Sequence, residues 1–191
     1  MSHVTNHKNK PDFNKLYLGN MSENIFYSSK CIDFVVLSSE YCKYLEQTEE
    51  TDRNTFNDVV RGLLTVIYLR ATLLPDFDEP EGYNDPCVTE DDYNYIRNKA
   101  ARTMKDLDDY LDVFVQEFKY NDQPILCTIS EGLADLYQVL RELTEAYKNE
   151  YEEAIHAQIY DVKESFQNEW GQKLLNTLKA LHDARFNNTN D

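Results

Sequence analysis

One pair of residues has the spacing of a metal-binding motif, because Glu153 and His156 lie three apart on a predicted helix. In carboxylate-bridged di-iron bundles such a pair binds metal, but the site also needs a second Glu-x-x-His and two further Glu from other helices. No other Glu stands three residues before a His in this chain. His156 also falls at the edge of the apolar stripe of its helix, with Glu153 further out. We therefore interpret the two residues as a surface pair, only a weak metal candidate, and expect no metal or other cofactor.

No catalytic residue can be assigned from the sequence. No Ser or Cys has a recognisable His or Asp partner, and two of the four His, His3 and His7, lie near the N-terminus, so a triad is not indicated. The chain also has no Gly-rich phosphate loop. These observations favour a protein that is not an enzyme.

Arg70 is the most informative single charge. On a helical wheel it lies in the middle of the apolar face of a predicted second helix. Its neighbours on that face are Val59, Leu63, Val66 and Leu74. An unpaired buried charge is strongly unfavourable, so the guanidinium must reach solvent or a carboxylate. Asp33 and Glu40, on the polar stripe of the first predicted helix, are the candidate partners.

Two interpretations of Arg70 follow. The favoured one is a structural ion pair, or an arginine that reaches solvent near the end of its helix. The alternative is an internal pocket for a small anionic ligand, which would make the protein a ligand-binding protein or an enzyme. The residues assigned to that pocket are Arg70, Glu40, Asp33, Tyr41 and Tyr137.

Acidic residues dominate the segment from Asp76 to Asp92, which begins as a loop and has no basic residue. Its spacing does not fit an EF-hand, because neither the required Gly nor the closing Glu is in register. A run of charge is usually solvated surface, and this is the favoured interpretation. The minor alternative is an acidic mimic of nucleic acid that captures a basic protein.

Composition limits the classes of partner. The 191 residues carry a formal net charge of −16, which opposes binding to nucleic acid or to anionic membranes. No apolar stretch approaches the roughly 18 residues of a membrane span, and the polar N-terminus lacks a signal-peptide core. The four Cys, without a Cys-x-x-Cys pair, are interpreted as small core residues in a reducing compartment. We therefore expect a cytoplasmic protein whose partners are proteins, with an oligomeric state that the sequence leaves open.

The pattern of apolar residues predicts helices and no strand. Only five Gly and five Pro are present, too few for the many turns of an all-β fold. Residues 1–20 are predicted to be a mobile polar tail, residues 21–186 a helical domain, and residues 187–191 a disordered tail. The predicted helices cover about 22–49, 52–74, a short segment after Thr89, 107–118, 128–149 and 150–185. Thr89 and Thr128 are the predicted N-caps of their helices. The last helix is expected to curve or to change neighbours near Gly171. The fold class is an all-α, single-domain antiparallel bundle of five to six helices with a long C-terminal helix.

Several segments together resemble a known family. They are Phe34–Cys42, Tyr68–Pro75, Ile129–Gln138, and Trp170–Leu174 followed by Ala180-Leu181-His182. The combination is similar to a family of small bacterial helical proteins, the domain-of-unknown-function family numbered 5063, over roughly residues 22–183. The resemblance implies an all-α bacterial protein and supplies no catalytic residue. The function we expect is therefore a protein-binding or regulatory module without catalysis.

Overall fold

Helices form most of the computed structural model, which describes residues 24–47, 51–112 and 124–187. The helices are α1 (Ser29–Gln47), α2 (Arg53–Thr72), α3 (Glu90–Met104), α4 (Ile129–Asn149), α5 (Glu152–Ser165) and α6 (Gly171–Phe186), with strands β1 (Asp109–Asp112) and β2 (Ile125–Thr128) between α3 and α4. The predicted all-α-dominated bundle is confirmed. The predicted tails lie outside the described residues, apart from Asn187, and the domain bounds 21–186 stay a prediction.

Helix α4 is the centre of the bundle. It packs against α1, α3, α5 and α6. Its fully buried side chains include Leu133, Leu136, Leu140 and Leu143. As predicted, Thr128 caps the start of the helix, where its side chain accepts a hydrogen bond from the backbone N–H of Glu131. Because α4 occupies the middle, the other helices surround it and keep one face toward solvent.

The α1–α2 pair forms one outer layer of the bundle. Helix α2 buries Phe56, Asn57, Val60, Leu64, Ile67 and Ala71. The apolar face predicted from the sequence was wrong at Val59 and Val66, which are 37% and 39% exposed, and at half-buried Leu63, whereas Leu74 is buried as predicted. The side-chain amide of buried Asn57 donates to the Leu181 carbonyl at 2.8 Å, so a polar residue replaces an expected apolar one at the contact with α6.

A short β-hairpin replaces part of a predicted helix. The sequence predicts a helix over 107–118 and no strand, but Asp109–Asp112 pairs antiparallel with Ile125–Thr128. In β1 the exposed residues Asp109 and Leu111 alternate with half-buried Tyr110 and buried Asp112. This alternation has the period of a strand, but an aspartate points inward and a leucine outward, which hides it from a hydrophobicity pattern. The remainder of the predicted helix, 113–118, lies outside the described residues.

The long C-terminal helix is confirmed, with a change of geometry before Gly171. Residues Phe166–Trp170 form a π-helical turn between α5 and α6. A Cβ atom at Gly171 would lie 2.3 Å from the Phe166 carbonyl oxygen, so the turn itself requires glycine. Trp170 is buried, and its indole N–H donates to the Val162 carbonyl at 2.9 Å. A π turn, a known cause of helix bending, therefore lies where the sequence predicts a change near Gly171.

The cysteines divide into two groups. Cys31 and Cys42 are buried in the core, as predicted. Cys87 is exposed and Cys127 is half-buried, so the prediction that all four are core residues was wrong for these two. Cys87 lies in the loop between α2 and α3, and Cys127 lies in strand β2, positions that a count of cysteines does not reveal.

The close contact between α4 and α6 at Gly132 predicts the effect of a substitution. A Cβ at Gly132 of α4 would lie 2.2 Å from Oγ1 of Thr177 on α6, whereas nothing lies within 4 Å of a Cβ at Gly62 on the exposed side of α2. We expect Gly132→Ala to lower the free energy of unfolding by roughly 1–3 kcal/mol through overpacking. Gly62→Ala should raise it by roughly 0.5–1 kcal/mol, because alanine favours the helix.

Urea unfolding of both variants measures these changes. Adding Thr177→Ala to Gly132→Ala should recover part of the lost stability, since it removes the hydroxyl that the new methyl meets. Equal stabilisation by the two Gly→Ala substitutions would contradict a close α4–α6 contact.

Candidate functional site

Arg70 pairs with Asp33, one of its two predicted partners. Nη1 of Arg70 lies 3.1 Å from Oδ2 of Asp33, and the pair links α2 to α1. The two side chains are 37% and 48% exposed, so the expected position of Arg70 in the middle of a buried face was wrong. An ion pair this exposed contributes about 1 kcal/mol or less. Its main structural effect is to fix the register between the two helices.

Glu40 and Tyr41 do not join Arg70 in a pocket. Glu40 is exposed and pairs with Lys43 of the same helix at 3.2 Å. Tyr41 is fully buried and its hydroxyl donates to the Leu133 carbonyl of α4 at 2.9 Å. Burial raises the pKa of Tyr41 well above its ordinary value, so the phenol stays neutral. Tyr41 thus connects α1 to the central helix, on the side away from Arg70.

The neighbours of the Asp33–Arg70 pair form an apolar surface. Val36 follows Asp33 by one turn and Val66 precedes Arg70 by one turn, so they lie at the same level of the antiparallel pair. We name Val36, Val66, Leu69 and Leu73 the α1–α2 outer surface. Their side chains are 54%, 39%, 55% and 43% exposed. Exposed aliphatic side chains grouped in this way are characteristic of interaction surfaces.

Tyr137 belongs to a polar cleft of about 420 Å³ between α1, α3 and α4. Its hydroxyl donates to Glu46 at 2.8 Å, and Arg141 lies 3.5 Å from the same carboxylate oxygen. Partial burial, the hydrogen bond to Glu46 and the charge of that carboxylate all raise the pKa of Tyr137. Partial burial acts to lower the pKa of Arg141, but Glu46 and other neighbours raise it overall. The cleft therefore keeps a neutral phenol and a charged guanidinium in place.

Glu142, which no sequence pattern singles out, holds the end of the acidic loop. Its carboxylate accepts hydrogen bonds from the backbone N–H of Cys87, at 2.9 Å to each oxygen, and from that of Val88 at 2.8 Å. The loop is also held at Asn84, whose amide donates to the Ala154 carbonyl. The backbone of the loop is thus tied to α4 and α5. Several of its carboxylates, such as Asp78 and Glu81, remain exposed.

Glu153 and His156 have different surroundings. Nε2 of His156 donates to the Asp78 carbonyl at 2.7 Å, and its ring packs on Phe26 at 5.0 Å between centroids. Glu153 is exposed. In the described part of the chain, no three His, Cys, Asp or Glu side chains are grouped as a metal site would require. His156 acts as a structural link between α5 and the acidic loop.

Comparison with known proteins identifies first the fold and then the family of the chain. A crystal structure of protein BF1032 from Bacteroides fragilis shares 30% sequence identity and superposes with a TM-score of 0.77, covering 87% of this chain and 99% of that one. The fold is therefore a mainly helical domain with a solved relative. The family model for the domain of unknown function DUF5063 matches residues 26–187, and the chain belongs to that family. A comparison with curated proteins finds no match. None of the described helices is long and apolar enough to cross a membrane.

The polar cleft also predicts the reactivity of a cysteine. Desolvation, followed by the hydrogen bond and charge of Glu142, raises the pKa of Cys87 to about 12. Because only the thiolate reacts, we expect exposed Cys87 to be alkylated roughly a hundredfold or more slowly than free cysteine at pH 8. Since a raised pKa favours the neutral thiol, the rate should keep rising with pH toward 12. Iodoacetamide labelling followed by peptide mass spectrometry measures it.

Glu142→Gln should speed the labelling of Cys87, because it removes the negative charge but keeps an oxygen for the backbone N–H groups. Glu152→Gln, at an exposed position of α5, is the matched control and should leave the rate unchanged. A Cys87 that reacts at the rate of free cysteine would show that Glu142 does not control the thiol.

Proposed function

We propose that the chain is a protein-binding or regulatory module without catalysis, and that its docking site is the α1–α2 outer surface. The proposal places it in the cytoplasm, as its composition suggests. The observation that carries it is the grouping of Val36, Val66, Leu69 and Leu73 on the outer side of two helices whose opposite faces are already packed. Such a surface binds the apolar face of an amphipathic helix by the helix-in-groove mode.

Charge determines which partner fits. The chain carries a net charge of −16, so a second copy would meet strong like-charge repulsion. A segment with a net positive charge would instead be attracted, and its association would weaken as salt screens the charges. We therefore assign the surface to a basic amphipathic helix of another protein. The Asp33–Arg70 pair lies within the surface and offers that helix both a carboxylate and a guanidinium.

Site-specific photo-crosslinking in the cells that make the protein tests the assignment. The crosslinking residue replaces Leu69 in one sample and Tyr83 in the control. Tyr83 is 87% exposed, on the loop after α2 and outside the surface. We expect one polypeptide with a basic amphipathic segment to be captured from position 69 and not from position 83. Capture of the same polypeptide from both positions, or of another copy of this chain, would reject the docking site.

Substitution then measures the contribution of the apolar contacts to binding of the captured polypeptide. Leu69→Ser with Leu73→Ser should weaken binding at least about tenfold, because burying one Leu contributes roughly 1.5–3 kcal/mol and tenfold is about 1.4 kcal/mol. Stability should change by only about 0.5 kcal/mol for each site, since both side chains are about half exposed. Leu175→Ser, at a 39% exposed leucine of α6, is the matched control and should leave the affinity unchanged.

A further inference from the structure

A second concave site lies away from the α1–α2 outer surface. A groove of about 940 Å³ opens where the end of α1, the start of α2 and one side of α3 meet. Small-molecule sites commonly have volumes of this order. Buried apolar residues form its base: Leu45, Phe56, Ile96 and Ala100. It shares no residue with the α1–α2 outer surface, so the two sites can be tested separately.

The groove concentrates positive charge in an acidic protein. Four of the 19 Lys and Arg line it, namely Arg53, Lys99, Arg102 and Lys105. Arg53 is engaged with Asp106 at 2.9 Å, and Lys99 donates to the Leu45 and Glu46 carbonyls at the end of α1. Neither Arg102 nor Lys105 has a side-chain ion pair or hydrogen bond with any residue in 24–47, 51–112 or 124–187. Their charges are available to a ligand.

The carboxylates at the groove are already compensated. Asp52 accepts hydrogen bonds from the backbone N–H groups of Asn54 and Thr55 at 3.0 Å each, and Asp106 pairs with Arg53. Glu46 turns toward the neighbouring cleft, where it accepts a bond from Tyr137. Four cations and three carboxylates line the groove, so its lining carries one net positive charge in a protein with a net charge of −16.

Tyr95 gives the groove an aromatic surface. Its side chain is 54% exposed, and the Lys99 ammonium lies 5.4 Å from its ring centroid. Tyr95 and Arg102 are seven residues apart on α3, so they lie on one face about 10 Å apart along the axis. Aromatic side chains that line an electropositive groove provide a platform on which a planar ring can stack.

The backbone at the rim holds one of the cations in an uncommon conformation. Lys105 ends α3 with φ 55° and ψ −124°, a region that favours glycine. Such a conformation typically costs about 1–3 kcal/mol. The turn at Lys105 starts the short helix Lys105–Leu107, which places Lys105 and Asp106 beside α3 at the groove.

From these contacts we infer that the groove binds a small organic phosphate with an aromatic ring, of the nucleoside diphosphate type. Arg102 and Lys105 bind the phosphate groups, and the side chain of Tyr95 packs on the ring. An anion of this kind is repelled by most of the surface of a protein with a net charge of −16. Binding therefore depends on the local field of the groove.

Isothermal titration of the full chain with ADP and with inorganic pyrophosphate tests the assignment. We expect ADP to bind, and to bind more tightly than pyrophosphate because only ADP has a ring for Tyr95. Arg102→Gln should weaken ADP binding about tenfold, the effect of losing one charge-assisted hydrogen bond. Tyr95→Ala should weaken ADP binding and leave pyrophosphate unaffected. Affinity should fall as sodium chloride is added.

Two further variants separate binding from folding. Lys105→Gly removes the charge and relieves the backbone conformation, so it should weaken ADP binding without lowering the melting temperature. Lys30→Gln removes an exposed charge of α1 outside the groove, and should leave ADP affinity unchanged. Absence of ADP binding, ADP binding no tighter than pyrophosphate, or equal weakening by Lys30→Gln and Arg102→Gln would each overturn the assignment.

Discussion

The packing of α4 on nearly every side is the constraint on which the other helices depend. A central helix must bury side chains around most of its circumference, and α4 does so from Ile129 to Ala146. Close approach is part of this arrangement, because the missing side chain at Gly132 lets Thr177 of α6 reach the helix. The hydroxyl of Tyr41 bonds to a carbonyl of α4 from the other side. Because neighbouring helices already cover most of α4, α1 and α2 each bury one face in the core and leave another face exposed to solvent.

The position of α2 shows what the sequence can and cannot predict. This helix has two apolar faces, and periodicity alone does not tell which of them is buried. The buried face contains Asn57 and Ala71, which look less hydrophobic than the exposed Val59 and Val66. The hydrogen bond from Asn57 to α6 offsets the unfavourable burial of its amide. Asp33 was one of the two partners predicted for Arg70, although the buried position that motivated the prediction was wrong.

The hairpin and the two concave sites were beyond prediction for a different reason. Each joins residues that are distant in the chain, as β1 with β2, Glu142 with Cys87, or Arg53 with Asp106. Inward-facing Asp112 is held by a hydrogen bond from Asn176 of α6, a contact that no local pattern contains. Helix existence and capping depend on neighbouring residues, and those predictions were correct at Thr89 and Thr128. Pockets depend on tertiary contacts, which one sequence does not reveal.

Both proposed sites depend on how charge is distributed along this acidic chain. A large excess of carboxylates opposes the approach of a second copy and favours a basic partner at the proposed docking surface, whose exposed apolar residues would otherwise favour self-association. The ligand proposal rests on Arg102 and Lys105, the two groove cations without a partner in the described residues. Arg102 also lies in the last turn of α3, where a positive charge suits the helix dipole. Lys99 differs, because its ammonium donates hydrogen bonds to two backbone carbonyls at the end of α1. Whether a Lys or Arg side chain already has a partner in the chain therefore tells more about its role than the net charge does.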